Sequence, residues 1–240
     1  GLIKKVLIAD NISVFVDQGF ASNHELTFFE GWLTSLGFTF QIYFDFSGYV
    51  DMATGSALML NIKLAQNFDS PYKSCSIIDF WHRWHITLSN FLTNFVFNPW
   101  ILSLKKVNFL KTMLILLFVF ILAGLWHGPS WTFVFFGLMH GLGLIVNHCF
   151  RKFLGIKLNR LFAWFLTFNY INITFLMFRA ESVSEFVYIL TKMINYKLVS
   201  FQQNFIIDIS FTQIVILILS IIVCFYFNNS NFLIGKSTRE

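Results

Sequence analysis

Residues 109–126 form an apolar run whose only polar members are Lys111 and Thr112 near its start. A helix crossing a bilayer needs roughly 20 mainly apolar residues at about 1.5 Å each, and this run meets that length. It leads directly into Leu125-Trp126-His127-Gly128-Pro129-Ser130-Trp131, where an ionisable imidazole closes an apolar segment. A polar ring at membrane depth is unfavourable unless it finds hydrogen-bond partners or a wet cavity, so His127 is a functional candidate from the outset.

The whole chain shares this character. Charged residues make up 12% of the sequence and hydrophobic ones 56%, whereas a soluble domain is about a quarter charged. Four further stretches approach spanning length: residues 28–49, which carry Glu30 and Asp45; 131–146, after a Gly-Pro turn; 161–178; and 211–227. The pattern predicts an all-α, polytopic transmembrane helical bundle. Residues 77–104 are apolar but broken by histidines, Arg83, Asn98 and Pro99. That segment is expected to form re-entrant or interfacial helices buried in protein and away from lipid. Ser182-Val183-Ser184-Glu185 has the spacing of a capping box, so a short interfacial helix is expected to begin there. Without repeats, low-complexity tracts or flexible linkers, residues 1–240 read as a single membrane domain.

The net charge of +5 comes from 17 Lys and Arg against 12 Asp and Glu, and the excess sits in short connections. Basic loops of this kind follow the positive-inside rule and speak against nucleic-acid binding. Lys105, Lys106 and Lys111 precede one apolar run, and Arg151, Lys152, Lys157 and Arg160 follow the next. Both loops, and the C-terminus with Lys236 and Arg239, are expected on the cytoplasmic side, leaving His127 near the far turn of a hairpin. Cys75, Cys149 and Cys224 are odd in number and widely spaced, which gives neither a disulfide framework nor a zinc pattern. The first residues lack a methionine, and Asp10, Asn11 and Asp17 interrupt the first apolar stretch, so it reads as an internal membrane segment and not as a signal peptide.

A second cluster, Asp79-Phe80-Trp81-His82-Arg83-Trp84-His85, supplies further polar groups. His82 and His85 would share one face of a helix, with Arg83 turned about 100° away. Packing of His85 against His127 would set one ring to accept a proton and the other to donate a hydrogen bond. His140 is balanced between a functional and a space-filling role, while His24 and His148 read as surface histidines. Asp45 and Asp51 lie in apolar sequence, where an unpaired carboxylate is costly, so Asp45 is expected to meet Arg83, a histidine or water. Cys75 has no neighbour in sequence that would activate a thiolate.

The stretch Gln41-Ile42-Tyr43-Phe44-Asp45-Phe46-Ser47-Gly48-Tyr49-Val50-Asp51-Met52-Ala53 resembles the bacterial branch of the membrane-bound O-acyltransferase (MBOAT) family, its alginate O-acetyltransferase group in particular. Gln66-Asn67-Phe68-Asp69-Ser70-Pro71-Tyr72, the Asp79 to Ser89 segment, Gly124-Leu125-Trp126-His127-Gly128 and Phe178-Arg179-Ala180 carry the same resemblance in the expected order. It implies a longer protein with additional N-terminal membrane helices. It also implies an enzyme of the inner (plasma) membrane that moves an acyl group, acetyl above all, from a cytoplasmic thioester, acetyl-CoA or an acyl-carrier protein, to a hydroxyl of an exported polysaccharide or a partner protein.

By the same resemblance His127 is the catalytic base and His85 the second active-site histidine; Asp45, His82, Arg83, Trp126 and His140 are candidates for substrate-binding or supporting roles. His127 would take the hydroxyl proton while His85 or a neighbouring donor steadies the oxyanion; no metal or bound cofactor is required. The family commonly has arginine at the positions of His82 and Asn90, and an Arg-Asp pair at Thr93 and Asn94, which bears on donor recognition. Two other readings stay open: a haem-binding electron carrier using His127 and His140, and a transporter or inactive scaffold of a polysaccharide-export complex.

Overall fold

A computed structural model of the chain describes residues 1–21, 26–156, 158–195, 207–227 and 229–230. His24, Lys157, Lys236 and Arg239 lie outside the described residues. Every regular element described is helical. In chain order they are α1 (Asp10–Phe20), α2 (Phe28–Met59), α3 (Ile77–Trp81), α4 (Ile86–Leu92), α5 (Asn98–Ser103), α6 (Phe109–His127), α7 (Trp131–Cys149), α8 (Arg160–Arg179), α9 (Val183–Ile194) and α10 (Phe211–Tyr226). Three of them, α6, α8, and α7 with its π-helical continuation to Leu154, are long and apolar enough to cross a membrane. The 28–49 stretch extends into the much longer α2, which carries three carboxylates, and the last apolar stretch gives the 16-residue α10.

The chain divides into two compact units. One comprises Gly1–Ala65 together with Arg179–Glu240, and the other Gln66–Phe178.

In the first unit α1 packs along α2, with Ile12, Phe15, Val16, Phe38, Phe40 and Phe44 buried. Thr27 and Glu30 form a full capping box at the start of α2. Glu30 is wholly buried, and its second carboxylate oxygen accepts from the Ile207 amide at 2.8 Å, so the same side chain ties α2 to the chain's distal segment. Trp32 Nε1 donates to the Met193 carbonyl (3.0 Å), and the Leu26 amide donates to the Tyr188 hydroxyl (3.1 Å). Asp45 and Asp51 each meet a lysine one helical turn into the chain: Lys5 pairs with Asp45, and Lys4 with Asp51 at 2.7 Å. The expectation that Asp45 would meet Arg83 or a histidine is therefore corrected, since the basic Lys4-Lys5 pair supplies counter-charges within the same unit.

The helix expected near Ser182 is α9. Ser182 accepts from the Glu185 amide (3.1 Å), and the Glu185 carboxylate reaches back to the amide of Glu181.

In the second unit α6 and α7 form a tight antiparallel hairpin. A Cβ on Gly124 would collide with the Phe133 carbonyl oxygen, and one on Gly137 with that of Phe120. Small residues at both positions let the two backbones touch, as in close helix pairs within membranes. Ser130 caps the start of α7, accepting from the Thr132 amide. Helix α8 is fastened by Tyr170, whose hydroxyl donates to the Met139 carbonyl (2.6 Å), and by Trp164, whose indole donates to the Tyr72 carbonyl (2.9 Å). Residues 86–103 are helical but contribute no buried side chain, and Phe91, Phe95 and Leu102 are exposed. The expectation of a protein-buried segment fails there: only the stretch through Ile77, Phe80 and Trp84 enters the core.

Gly137→Val is expected to destabilise the α6–α7 hairpin by about 1–3 kcal/mol, the usual cost of overpacking. Gly55→Ala, where an added Cβ meets nothing within 4 Å, is expected to stabilise α2 by up to about 1 kcal/mol. Thermal unfolding of the detergent-solubilised protein checks both.

Candidate active site

Helix α3 is short because both of its ends are specified locally. Ser76 accepts from the Asp79 amide at its start, and at its end Arg83 folds back, donating from Nε to Asp79 at 2.8 Å. The Arg83 guanidinium also reaches Asp69, 3.7 Å from its carboxylate and 3.2 Å from its carbonyl. These contacts draw residues 67–69 alongside residues 83–86 in an antiparallel sense. The Asp69 amide donates to the Arg83 carbonyl (2.9 Å), and the Ile86 amide donates to the Asn67 carbonyl (3.0 Å).

His85 sits inside this clasp with φ 44° and ψ 53°. Left-handed backbone at a non-glycine residue costs about 1–2 kcal/mol and persists only where its surroundings enforce it. This turn separates α3 from α4, so His82 and His85 do not share a helical face as the spacing suggested. His82 instead caps the end of α3 and points, with Trp81, Asn90, Thr93 and His148, into a cavity of about 520 Å³. His148, expected on a surface loop, is part of α7 and lines that cavity. The positions where the resemblance led us to expect arginines thus line this cavity with His82, Asn90 and Thr93.

The side chain of Asn67 completes the clasp. Its Oδ1 accepts from the Thr87 amide (3.2 Å) and the Thr87 hydroxyl (2.9 Å) and lies 3.1 Å from His85 Nδ1. His85, Thr87, Phe91, Leu122, Ala123 and Trp126 line a cleft of about 480 Å³. His127, the last residue of α6, follows Trp126 and lies near enough to His85 for the charges of the two rings to oppose each other. Burial and that neighbouring ring push His85 down to about 4, below the ordinary histidine range, so it is neutral near pH 7. The His127 ring is held by aromatic contacts, edge-on to Phe178 (5.0 Å), Phe136 (6.1 Å) and Trp126 (4.9 Å).

His140 is fully buried behind this pair. It stacks on Phe80, its Nδ1 accepts from Trp81 Nε1 at 3.2 Å, and its Nε2 has no hydrogen-bond partner among the described residues. Because Nδ1 accepts, the proton resides on Nε2. His140 thus fastens α3 to α7. Trp126 is largely exposed beside His85, and Arg83 acts as the latch of the clasp. Of the residues expected at the site, the second unit places His85 and Trp126 at one cleft, with His127 next to Trp126 in sequence, Arg83 and His140 as supports and His82 in the neighbouring cavity. Asp45 belongs to the ion pairs of the first unit. Asn67 and Thr87 were not singled out as functional from the sequence; the only signal was an Asn between Gln66 and Phe68, set 18 residues before His85.

The family model of MBOAT, the membrane-bound O-acyltransferase family, matches residues 1–190. The chain belongs to that family. A peptidoglycan O-acetyltransferase from Helicobacter pylori is 46% identical over 204 residues, covering 83% of this chain and 38% of the relative. A probable alginate O-acetylase from Azotobacter vinelandii is 39% identical over 183 residues, 76% of this chain and 36% of the relative. A teichoic acid D-alanyltransferase from Streptococcus thermophilus is 31% identical over 160 residues, 58% of this chain and 39% of the relative. The chain thus spans well under half the length of the curated relatives it matches.

Two consequences of the His85 turn are measurable. His85→Gly is expected to keep the fold, whereas His85→Val, strained in left-handed backbone, is expected to unfold at lower temperature. The second consequence concerns pH. An unfolded chain protonates this histidine near about pH 6.5, while the folded ring resists protonation down to about 4. As pH falls through that window the unfolded state binds the extra proton and folding stability declines. In His85→Asn that part of the acid sensitivity is expected to vanish, as pH-dependent melting would reveal.

Proposed function

We propose that the protein containing this chain is an inner-membrane, multi-pass O-acyltransferase. It transfers an acetyl group from a cytoplasmic thioester, acetyl-CoA or an acyl-carrier protein, to a hydroxyl on an extracytoplasmic polysaccharide or partner protein. The observation that carries this reading is the approach of His127 to His85 beside one cleft, in a family defined by O-acyl transfer. The names of the relatives, acting on peptidoglycan, alginate and teichoic acid, support a polymer acceptor outside the cell.

In the proposed step the acceptor oxygen attacks the thioester carbonyl. The C–O bond forms, the C–S bond breaks, and the hydroxyl proton passes to His127 and then to the departing thiolate. A positioned general base typically contributes about 10²- to 10⁴-fold. The aromatic surroundings of His127 suit this role, because water excluded from the reacting carbonyl cannot hydrolyse the donor.

His127→Ala is expected to abolish transfer of labelled acetyl from acetyl-CoA to polymer while membrane insertion is retained. Full activity in that variant would overturn the proposal.

A further inference from the structure

Hydrogen atoms on a histidine are settled by what surrounds it, and around His85 the surroundings are decisive. An asparagine can be turned so that its oxygen and nitrogen exchange places, which normally leaves such a contact ambiguous. Here the ambiguity is removed by the Thr87 amide, 3.2 Å from the same atom. A backbone N–H can only donate, so that atom of Asn67 is its oxygen. The oxygen in turn can only accept, so the nitrogen of His85 facing it at 3.1 Å must carry a proton.

We propose that Asn67 is a positioning residue of the active site: it fixes His85 in the Nδ1–H form, so that Nε2 is the accepting nitrogen of that ring. This rests on the acyltransferase reading given above. His85 is neutral near pH 7, so a single nitrogen holds its proton and the two nitrogens have distinct roles. The oxyanion-donor role expected of His85 from the resemblance would need a proton on Nε2, and the Asn67 contact opposes that arrangement. Developing negative charge is then served by other donors, and His85 can enter the proton transfer only as an acceptor at Nε2. The proton balance is unchanged: the proton leaves the hydroxyl, rests on His127 and departs with the thiolate. The clasp explains the strained backbone of His85 as well. The Asp69–Arg83 and Asn67–Ile86 backbone bonds hold the turn that brings Nδ1 to Asn67 Oδ1.

The test is ¹⁵N NMR of histidine-labelled full-length protein in lipid, with His85 assigned by its loss in His85→Gln. The expected wild-type spectrum shows Nδ1 protonated and Nε2 bare; a proton on Nε2 alone overturns the proposal. In Asn67→Leu the Nδ1–H form is expected to lose its dominance. The same variant is expected to lower kcat about 10- to 100-fold, at or below the roughly 10²-fold lower end of what a proton-transfer group contributes because Asn67 acts through His85, with KM for the acceptor little changed. Asn67→Asp keeps an acceptor for Nδ1–H and is expected to recover the tautomer and most of the lost rate. An unaltered tautomer in Asn67→Leu, or an altered tautomer with an unaltered kcat, rejects the role. Full activity in His127→Ala counts against the acyltransferase reading alone, because the tautomer is measured without turnover.

Discussion

The Arg83 guanidinium, closed on Asp79 and Asp69, is the contact on which the candidate site depends. A cation in an apolar protein is tolerated only when its donors are occupied, and Arg83 occupies them with groups from two separate segments. That requirement stops α3 after five residues and draws residues 67–69 beside it. With the segments paired, Asn67 Oδ1 comes within reach of both Thr87 and His85. Loss of the arginine would leave two carboxylates facing each other and release the turn that carries the histidine. Arg83, expected in a supporting position, is thus a fastener, and the candidate histidine lies two positions on.

Much of this was legible in the sequence. Residues 109–126 and 131–146 announced a helical hairpin by length and apolarity, and α6 and α7 follow with His127 at the end of the first. Ser182 and Glu185 marked α9, because capping depends on residues three apart in the chain. The failures share one cause. Helical periodicity placed His82 and His85 on one face, yet hydrogen bonds to a segment some 14–18 residues earlier broke the helix between them. Asp45 was given a partner by chemical plausibility, and Lys5, 40 residues away in sequence, was not considered. Pairings set by tertiary geometry leave no trace in local spacing.

His140 illustrates how a buried polar group can be decided by one bond. Its position thirteen residues after His127 had suggested a second haem ligand or a supporting ring, and the sequence offered no way to choose between a functional and a space-filling role. Stacked on Phe80 and accepting from Trp81, it holds α3 against α7 and so fixes the height of the whole histidine cluster along the hairpin. The contact of Gly124 and Gly137 sets the spacing of that same hairpin. Placement of the candidate base and its partner therefore rests on a glycine contact, an indole bond and an arginine latch, none of which meets the cleft directly.

The first unit is assembled from both ends of the chain, with the second unit lying between them in sequence. Glu30 waits for Ile207, Gln18 for Asp208, and Asp17 for Arg179. During synthesis the N-terminal helices emerge with a buried carboxylate still lacking one of its partners, while every contact of the His85 clasp can already form. The connectivity thereby bears on the order of assembly: the unit holding the His85 clasp draws on one continuous stretch, whereas the unit around it in sequence is complete only once residues 179–240 have been made.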